Sequence, residues 1–263
     1  MSSGTLFPAG TFTPRPQPAR IAAMIAAQSQ LELKLLLRNG EQLLLTMFIP
    51  ITLLVGLCLL PVDTGLGDGP AARADVFVPA ILTVAVMSTA FTGQAIAVGF
   101  DRRYGALKRL GATPIPRWGI IVGKSVAVLL VVIIQSIVLG LIGAAFGWRP
   151  AVLGLLLGAA VIAIGTACFA ALGLLLGGTL KAEVVLALAN LLWFAMVGIG
   201  SLVVLDSRVP DAVWWVARCT PSGALTEALE RASHATVDVF GICVLLVWTA
   251  VAGALAVRWF RFE

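Results

Sequence analysis

The residues of this sequence that could carry out chemistry are few, and the clearest motif match is Gly123-Lys124-Ser125. These residues match the end of the phosphate-binding loop of nucleotide-hydrolysing proteins. That motif also requires an earlier glycine, where this chain has Trp118, and a preceding β-strand. Lys124 instead stands near the start of a long apolar run. We therefore expect this chain to have no ATPase site of its own.

The sequence contains no pattern typical of an enzyme, such as paired catalytic carboxylates or a Ser/His/Asp arrangement. Cys58, Cys168, Cys219 and Cys243 lack the spacing of metal ligands, and the single histidine, His234, lies in a polar stretch. Cys219 and Cys243 lie nearer the predicted outer side, so a disulfide between them stays open, although no sequence pattern supports it. We expect neither catalysis nor a metal or cofactor bound by this chain.

The polar side chains inside the apolar runs are neutral, and they are candidates for lining a substrate path. The candidates are Ser88, Thr92, Gln94, Gln135 and Asn190. Such groups also commonly bond to their own helix or bridge two helices, so both interpretations stay open. Ion-coupled carriers usually need charged residues within the membrane. No charged residue lies deep in these runs, which argues against transport energised by this chain alone.

Composition places these residues in a membrane protein. Of 263 residues, 60% are hydrophobic and 12% are charged, whereas soluble domains carry about 25% charged residues. The length suits about six spans of roughly 20 residues each. The net charge of +5 comes from residues in short loops, a distribution that favours membrane orientation over nucleic-acid binding.

Six apolar runs predict an all-α integral membrane fold with six transmembrane helices. The predicted spans are 43–60, 76–100, 119–147, 151–178, 184–205 and 239–257. Most Lys and Arg residues fall on one side if both termini lie on that side. Short positive loops stay cytoplasmic. We therefore expect a multi-pass protein of the cell (plasma) membrane with cytoplasmic N- and C-termini.

The segment before the first span divides into two parts. Residues 1–20 are rich in Ser, Thr and Pro, and we interpret them as a disordered cytoplasmic tail. Residues 21–42 carry polar side chains on one helical face and apolar ones on the other, which is typical of a helix lying in the membrane interface. Glu32 is an exception on the apolar side. The alternative is a cytoplasmic extension of the first span.

Residues 100–116 form the strongly charged segment between the second and third predicted spans. They contain Arg102, Arg103, Lys108 and Arg109. One interpretation is a basic loop that only sets orientation. The other is a short cytoplasmic helix that a soluble partner binds.

The last long loop, residues 206–238, combines an apolar stretch containing Trp214 and Trp215 with a Thr220-Pro221 break and a second helical stretch. Trp favours the membrane interface. This pattern predicts two re-entrant half-helices that dip into the outer leaflet before the last span. The alternative is an amphipathic hairpin resting on the surface.

Two of these segments carry a family resemblance. Asp101-Arg102-Arg103-Tyr104-Gly105-Ala106-Leu107-Lys108-Arg109-Leu110-Gly111-Ala112-Thr113-Pro114 resembles the charged E-R-x-x-G-T-L-x-x-L-x-A-T-P segment of the membrane (permease) subunits of ABC-2-type exporters, the drug- and lipid-exporting group. Gly123-Lys124 continues it. Residues 209–225 resemble the outer P…W…NP…AL segment of the same family. Tyr104, Ala106 and the Cys219-Thr220 pair depart from these patterns.

The resemblance implies a six-span ABC-2-type domain over residues 43–263, with residues 21–42 as the interfacial connecting helix. It implies that residues 101–110 form a coupling helix held in a cleft of a separate ATP-binding subunit. The implied coupling residues are Asp101, Arg102, Arg103, Tyr104, Gly105, Leu107, Lys108, Arg109 and Leu110. Among them, we expect Leu107 and Leu110 to fill an apolar groove of that partner.

The resemblance also implies a function. The permease would move a hydrophobic or amphiphilic drug or lipid out across the cell membrane, with ATP and Mg on the partner subunit. It would act with a second permease copy or a related permease. The alternatives are an ATP-independent secondary carrier and a membrane scaffold.

Overall fold

The computed structural model describes residues 19–60, 69–205 and 209–260. Within these ranges the chain is helical and has no strand. The α-helices are α1 (Ile21–Arg38), α2 (Gly40–Leu59), α3 (Pro70–Val86), α4 (Gln94–Arg103), α5 (Ala106–Gly111), α6 (Arg117–Ala145), α7 (Val152–Thr179), α8 (Ala182–Val204), α9 (Asp211–Arg218), α10 (Pro221–Ser233) and α11 (Val239–Trp259). The predicted tail lies almost wholly outside the described residues.

The long helices coincide with the apolar runs, because backbone N–H and C=O groups within hydrocarbon must bond inside their own helix. Among the described residues, five helices are long and apolar enough to cross a membrane: Pro70–Arg103, Trp118–Ala145, Val152–Thr179, Ala182–Val204 and Val239–Trp259. The first predicted span falls in α2, whose apolar part, Thr46–Leu59, is shorter. The all-helical membrane fold is confirmed, and the sixth span stays a prediction.

The second predicted span is part of one 34-residue helix, Pro70–Arg103. A π-helical segment, Met87–Gly93, joins α3 to α4 within it. At about 1.5 Å per residue this helix exceeds a hydrocarbon core of about 30 Å. Its last residues therefore extend past the apolar layer and carry Asp101, Arg102 and Arg103 at one end of the bundle.

The predicted coupling helix over residues 101–110 is not continuous. Residues 101–103 end α4, and Tyr104 and Gly105 form a turn before α5 begins at Ala106. Gly105 has φ 69° and ψ 16°, the left-handed region that glycine adopts without steric cost. The prediction of one continuous helix over residues 101–110 is wrong. The backbone turns at Gly105, whose φ is positive, and this turn separates α4 from α5.

Helix α7 lies at the centre of the bundle and packs closely on its neighbours. A Cβ added at Gly173 would meet the backbone oxygen of Phe91 in the π-helical segment at 2.8 Å. Small residues at such positions let helices approach within van der Waals distance in a membrane. The core is thus built around α7, with α3, α4, α10 and α11 packed against it.

Helices α9 and α10 correspond to the predicted half-helices in the last loop. Thr220 caps α10, because its hydroxyl oxygen accepts a hydrogen bond from the Gly223 N–H at 3.2 Å. Most of α10 is buried against α3, α7, α8 and α11. The surface-hairpin alternative therefore does not describe α10.

Candidate functional site

The predicted coupling segment, residues 101–110, begins beside a buried lysine, Lys124 on α6. Its Nζ lies 2.9 Å from the carboxylate of Glu32 on α1 and 2.7 Å from Oδ2 of Asp101 on α4. Lys124 is 7% exposed and Glu32 is 9% exposed. The Glu32 carboxylate also accepts a hydrogen bond of 2.8 Å from Gln28. We refer to Glu32, Lys124 and Asp101 as the ion-pair triad.

The triad joins three separate helices through charges that water does not screen well. A buried charge is tolerable only when it is paired and hydrogen-bonded, and removing one partner leaves the other uncompensated. Glu32 holds α1 on α6, and Asp101 holds the end of α4 on the same lysine. A displacement of the end of α4 is therefore resisted by α6 and α1 together.

Helix α1 buries a polar face and exposes an apolar one. Gln28, Ser29 and Glu32 are buried against α6, whereas Ile21 and Leu35 are 51% and 57% exposed. The sequence exception at Glu32 was thus the signal for the buried face. An apolar face turned away from the bundle also fits a helix that lies against lipid.

Gly123 explains why α1 approaches α6 so closely. A Cβ added there would lie 2.6 Å from Cγ of Gln28, a distance at which the side chain must move. The Gly123-Lys124 pair therefore makes a helix contact and an ion pair. This geometry gives no support to phosphate binding by Gly123 and Lys124.

Two of the expected partner contacts are used inside the chain. Arg102 Nη1 donates hydrogen bonds to the carbonyl oxygens of Gly177 at 3.1 Å and Leu180 at 2.9 Å, at the end of α7. Arg103 forms an ion pair of 2.5 Å with Glu183 at the start of α8, and both side chains are at least half exposed. An exposed pair of this kind contributes about 0–1 kcal/mol. Arg102 and Arg103 thus connect α4 to α7 and α8.

Leu107 is the expected contact whose placement differs most from the prediction. It is fully buried within this chain, in a cluster with Val98, Ile120, Leu174 and Ala256. Leu110 packs on the same cluster and is partly buried. Leu107 is therefore an anchor of α5 on the bundle, and it does not reach a groove in another protein.

The outward face of the segment is basic and small. Tyr104 is 68% exposed, and Lys108 and Arg109 are exposed on α5. The following residues, 111–114, are exposed as well. We call Tyr104, Lys108, Arg109 and residues 111–114 the α5 surface. It is the largest exposed part of the predicted coupling segment, and another protein can contact it.

The substrate-path candidates divide into bonded and unbonded groups. Ser88 accepts a hydrogen bond of 3.0 Å from Trp193 Nε1 on α8. Gln135 accepts one of 2.8 Å from the Thr89 hydroxyl and donates one of 3.3 Å to the Thr46 carbonyl oxygen. These two side chains bridge helices, as the second interpretation of the sequence expected.

Gln94 lines a small cavity beside the triad. Its amide nitrogen and oxygen have no hydrogen-bond partner among the described residues, although Gln94 is 3% exposed. The cavity has a volume of about 40 Å³, and Glu32, Thr46, Thr89 and Lys124 also line it. A cavity above about 10–15 Å³ with several polar partners can hold water.

The last two candidates lie apart from this cavity lining. The Thr92 hydroxyl is buried and finds no hydrogen-bond partner in the part of the chain that the structure describes. Asn190 lies on an exposed face of α8 and donates a hydrogen bond of 2.8 Å to the Leu186 carbonyl oxygen. The structure therefore does not bring all five predicted path residues to one surface.

Comparison with known proteins assigns this chain to a family. The sequence model of the family described as ABC-2 family transporter protein matches residues 63–258, which is most of the chain. This chain belongs to the ABC-2 family. It is a multi-pass membrane permease subunit, and this family implies a partner that binds ATP. No curated protein matches the sequence significantly.

The match divides the triad of this ABC-2 permease. Asp101 and Lys124 fall inside the matched region, whereas Glu32 and the whole of α1 precede it. The α5 surface is also inside. The family match therefore covers the predicted coupling segment, residues 101–110, but not α1, which supplies Glu32 to the triad.

A second buried ion pair of this ABC-2 permease lies at the other end of the bundle, and no sequence pattern indicated it. Arg218 Nη2 of α9 lies 2.5 Å from Oδ2 of Asp238, and both side chains are almost completely buried. The Arg218 guanidinium also lies over the Trp214 ring, 4.9 Å from its centroid. Cys219 and Cys243 are free thiols. An ion pair, and not a disulfide, thus joins α9 to the start of α11.

Proposed function

We propose that this ABC-2 permease is the membrane subunit of an ATP-driven exporter that moves a hydrophobic or amphiphilic drug or lipid out across the cell membrane. A separate ATP-binding subunit would hold ATP and Mg²⁺ and dock on the α5 surface. The observation that carries this proposal is the exposed Lys108 and Arg109 on a helix whose opposite side is anchored by buried Leu107.

The anchoring of α5 supports a role in transmitting force. Leu107 fixes α5 to a cluster that includes residues of α4, α6, α7 and α11. Four residues before Gly105, Asp101 is held by Lys124 of α6, which also holds Glu32 of α1. A partner that displaces α5 would therefore move several helices at once, as alternation between inward- and outward-facing states requires.

Charge supports the choice of partner surface. Lys108 and Arg109 are free to meet acidic groups at the rim of a cleft, where such pairs set orientation and association rate more than affinity. Arg102 and Arg103 instead stabilise the permease itself. The charges proposed for docking are thus those of Lys108 and Arg109.

The inner polar groups support a largely apolar substrate. Ser88 and Gln135 are bonded to neighbouring helices, which leaves few free groups for a polar ligand. The Lys and Arg distribution supports cytoplasmic termini. Helix α1 and the end of α11 near Phe260 both lie at the α5 end of the bundle. This agrees with both termini being on the same side of the membrane.

Helix α8 supports pairing with a second permease copy or a related permease. It places the amide of Asn190 on an exposed face within a span, with Leu191 and Phe194 66% and 68% exposed beside it. Polar side chains within membranes usually face another helix and not lipid. A partner permease on this face would give the amide a protein environment.

The test of docking is co-purification with an ATP-binding subunit from the native host, followed by ATPase and transport assays in proteoliposomes. The double variant Lys108→Glu/Arg109→Glu should lose the subunit and at least about tenfold of the transport, since reversed charges repel an acidic rim. Lys34→Glu, an exposed charge reversal on α1, is the matched control. Unchanged assembly in the double variant contradicts docking on the α5 surface.

The same preparation separates the alternatives. Transport that follows an ion gradient and ignores ATP would favour a secondary carrier, and assembly without any transport would favour a scaffold. For the α8 contact, Leu191→Cys in a background without Cys219 and Cys243 should form a cross-linked dimer in membranes. Val247→Cys on α11 is the control.

A further inference from the structure

A long apolar groove lies between α6 and α7, at the end of the bundle opposite to α5. Its volume is about 570 Å³. Along α6 it extends from Leu129 to Ala144, which corresponds to about 22 Å at 1.5 Å per residue. The floor includes Leu229 of α10, and Leu141 and Leu155 form exposed rims. We call this the α6–α7 groove.

The lining of the groove offers almost nothing to a polar ligand. Its two hydroxyl groups are already used, because Ser136 donates to the Val132 carbonyl oxygen at 2.8 Å and Ser233 to the Glu230 carbonyl oxygen at 2.6 Å. This differs from the small cavity beside the triad, where the Gln94 amide lacks a hydrogen-bond partner among the described residues. Hydrocarbon is therefore the occupant that fits the α6–α7 groove.

A cation stands at one end of the groove. Arg149 is exposed in the turn between α6 and α7, and its Nη1 donates a hydrogen bond of 2.7 Å to the carbonyl oxygen of Ala144, a groove residue. Its neighbours Trp148 and Pro150 also line the groove. The remaining guanidinium N–H groups are available to an anion, and arginine binds phosphate with planar, paired hydrogen bonds.

We propose that the α6–α7 groove binds one phospholipid of the surrounding bilayer, with an acyl chain between the helices and the phosphate at Arg149. The groove's length exceeds the depth of a single leaflet, about 15 Å of hydrocarbon, so one chain fits along it. The lipid is a resident component of the permease, and this proposal is independent of the proposed transport function.

Gly158 makes the proposal testable without disturbing the fold. It lines the groove, and a Cβ added there meets no atom within 4 Å. Gly158→Leu therefore places a side chain in the space that the acyl chain would occupy. Gly253→Leu is the matched control, because Gly253 of α11 is equally open and does not line the groove.

The experiment is native mass spectrometry of the full chain, purified in mild detergent, delipidated and titrated with palmitoyl-oleoyl-phosphatidylglycerol. The wild type and Gly253→Leu should each bind one tight lipid per chain, and Gly158→Leu should bind it at least about tenfold more weakly. Diacylglycerol with the same chains tests the phosphate: the wild type should prefer the phospholipid, and Arg149→Gln should lose that preference.

Two results would overturn the proposal. One is equal phospholipid affinity in Gly158→Leu and Gly253→Leu, with both variants unfolding at the wild-type temperature. The other is a cryo-electron microscopy map of the wild type in phospholipid nanodiscs with no elongated density between α6 and α7. An unchanged lipid preference in Arg149→Gln would overturn the phosphate contact specifically.

Discussion

Lys124 and Glu32 are 92 positions apart in the sequence and form a buried ion pair of 2.9 Å between α6 and α1. Asp101 completes the charge arrangement at 2.7 Å. The pair connects a helix that precedes the family match to the start of a span within it. Its strength decides whether α1 moves with the bundle or independently of it.

Replacing Lys124 should strongly destabilise the permease. Lys124→Met leaves the carboxylates of Glu32 and Asp101 facing each other without a cation, and we expect a loss of about 3–5 kcal/mol. The measurement is thermal unfolding of the purified protein in detergent. Lys34→Met, on the exposed face of α1, is the control and should unfold like the wild type. An unfolding temperature of Lys124→Met equal to that of Lys34→Met would show that the triad contributes nothing to stability.

The contact between α1 and α6 should depend on the size of residue 123. Gly123→Ala places a Cβ 2.6 Å from Gln28 Cγ and should cost about 1–3 kcal/mol, as overpacking does. Trypsin cleavage at Lys34 or Arg38, followed by gel electrophoresis, should then become faster because α1 detaches more often. Gly56→Ala, an open position on α2, is the control.

A second substitution on α1 tests the cause. Gln28→Ala removes the Cγ that lies 2.6 Å from the new methyl group and leaves the Gln28 Cβ at 3.1 Å, so the double variant Gln28→Ala/Gly123→Ala should recover part of the protection from trypsin. If the double variant is cleaved as fast as Gly123→Ala, the close approach of these two residues is not the reason for the effect.

Gln135 and Gln94 should differ in what they contribute to stability. Gln135→Leu leaves the Thr89 hydroxyl and the Thr46 carbonyl oxygen without their partner, and we expect a loss of about 1–3 kcal/mol. Gln94→Leu removes an amide that has no protein partner, so the change should be smaller. Chemical denaturation of both variants measures this order. The reverse order would mean that the Gln94 amide has partners as strong as those of Gln135.

The Arg218–Asp238 pair should behave differently when one or both residues are removed. Arg218→Leu alone leaves the buried Asp238 carboxylate with a weaker contact, Arg231 Nη1 at 4.0 Å, and should cost about 3–5 kcal/mol, whereas an apolar replacement of a whole buried pair is often neutral. Arg218→Leu/Asp238→Leu should therefore be more stable than Arg218→Leu in thermal unfolding. A double variant that is less stable than either single variant would rule out this ion-pair explanation.

The long helices were predictable because a membrane span consists of a continuous run of apolar residues in the sequence. The buried partners were not, because they depend on residues far apart in the chain. In the sequence, Glu32 differed from its surroundings only as a charged residue on the apolar face of an amphipathic helix. Nothing near it indicated Lys124 as its partner. Similarly, the charged segment around Leu107 predicted a leucine that inserts into a partner protein. The residues that bury Leu107 instead come from four other helices of this chain.

The charge pattern also could not separate two uses of arginine and lysine. Arg102 and Arg103 lie next to Lys108 and Arg109 in sequence, but the turn at Gly105 divides them. The first two meet the ends of α7 and α8, and the others stay on the surface. Only the backbone geometry of one glycine distinguishes them, and the one-helix interpretation missed it.

The π-helical segment Met87–Gly93 fixes the angular phase between the two halves of its long helix. A π-helical turn holds one more residue than an α-helical turn, and one residue corresponds to about 100° of rotation. Shortening this segment by one residue would restore a regular α-helix and turn α4 away by about that angle. Asp101 would then no longer face Lys124. The length of this segment therefore sets which way Asp101 faces, while its side chains, such as Thr89 bonded to Gln135, hold the segment against its neighbours.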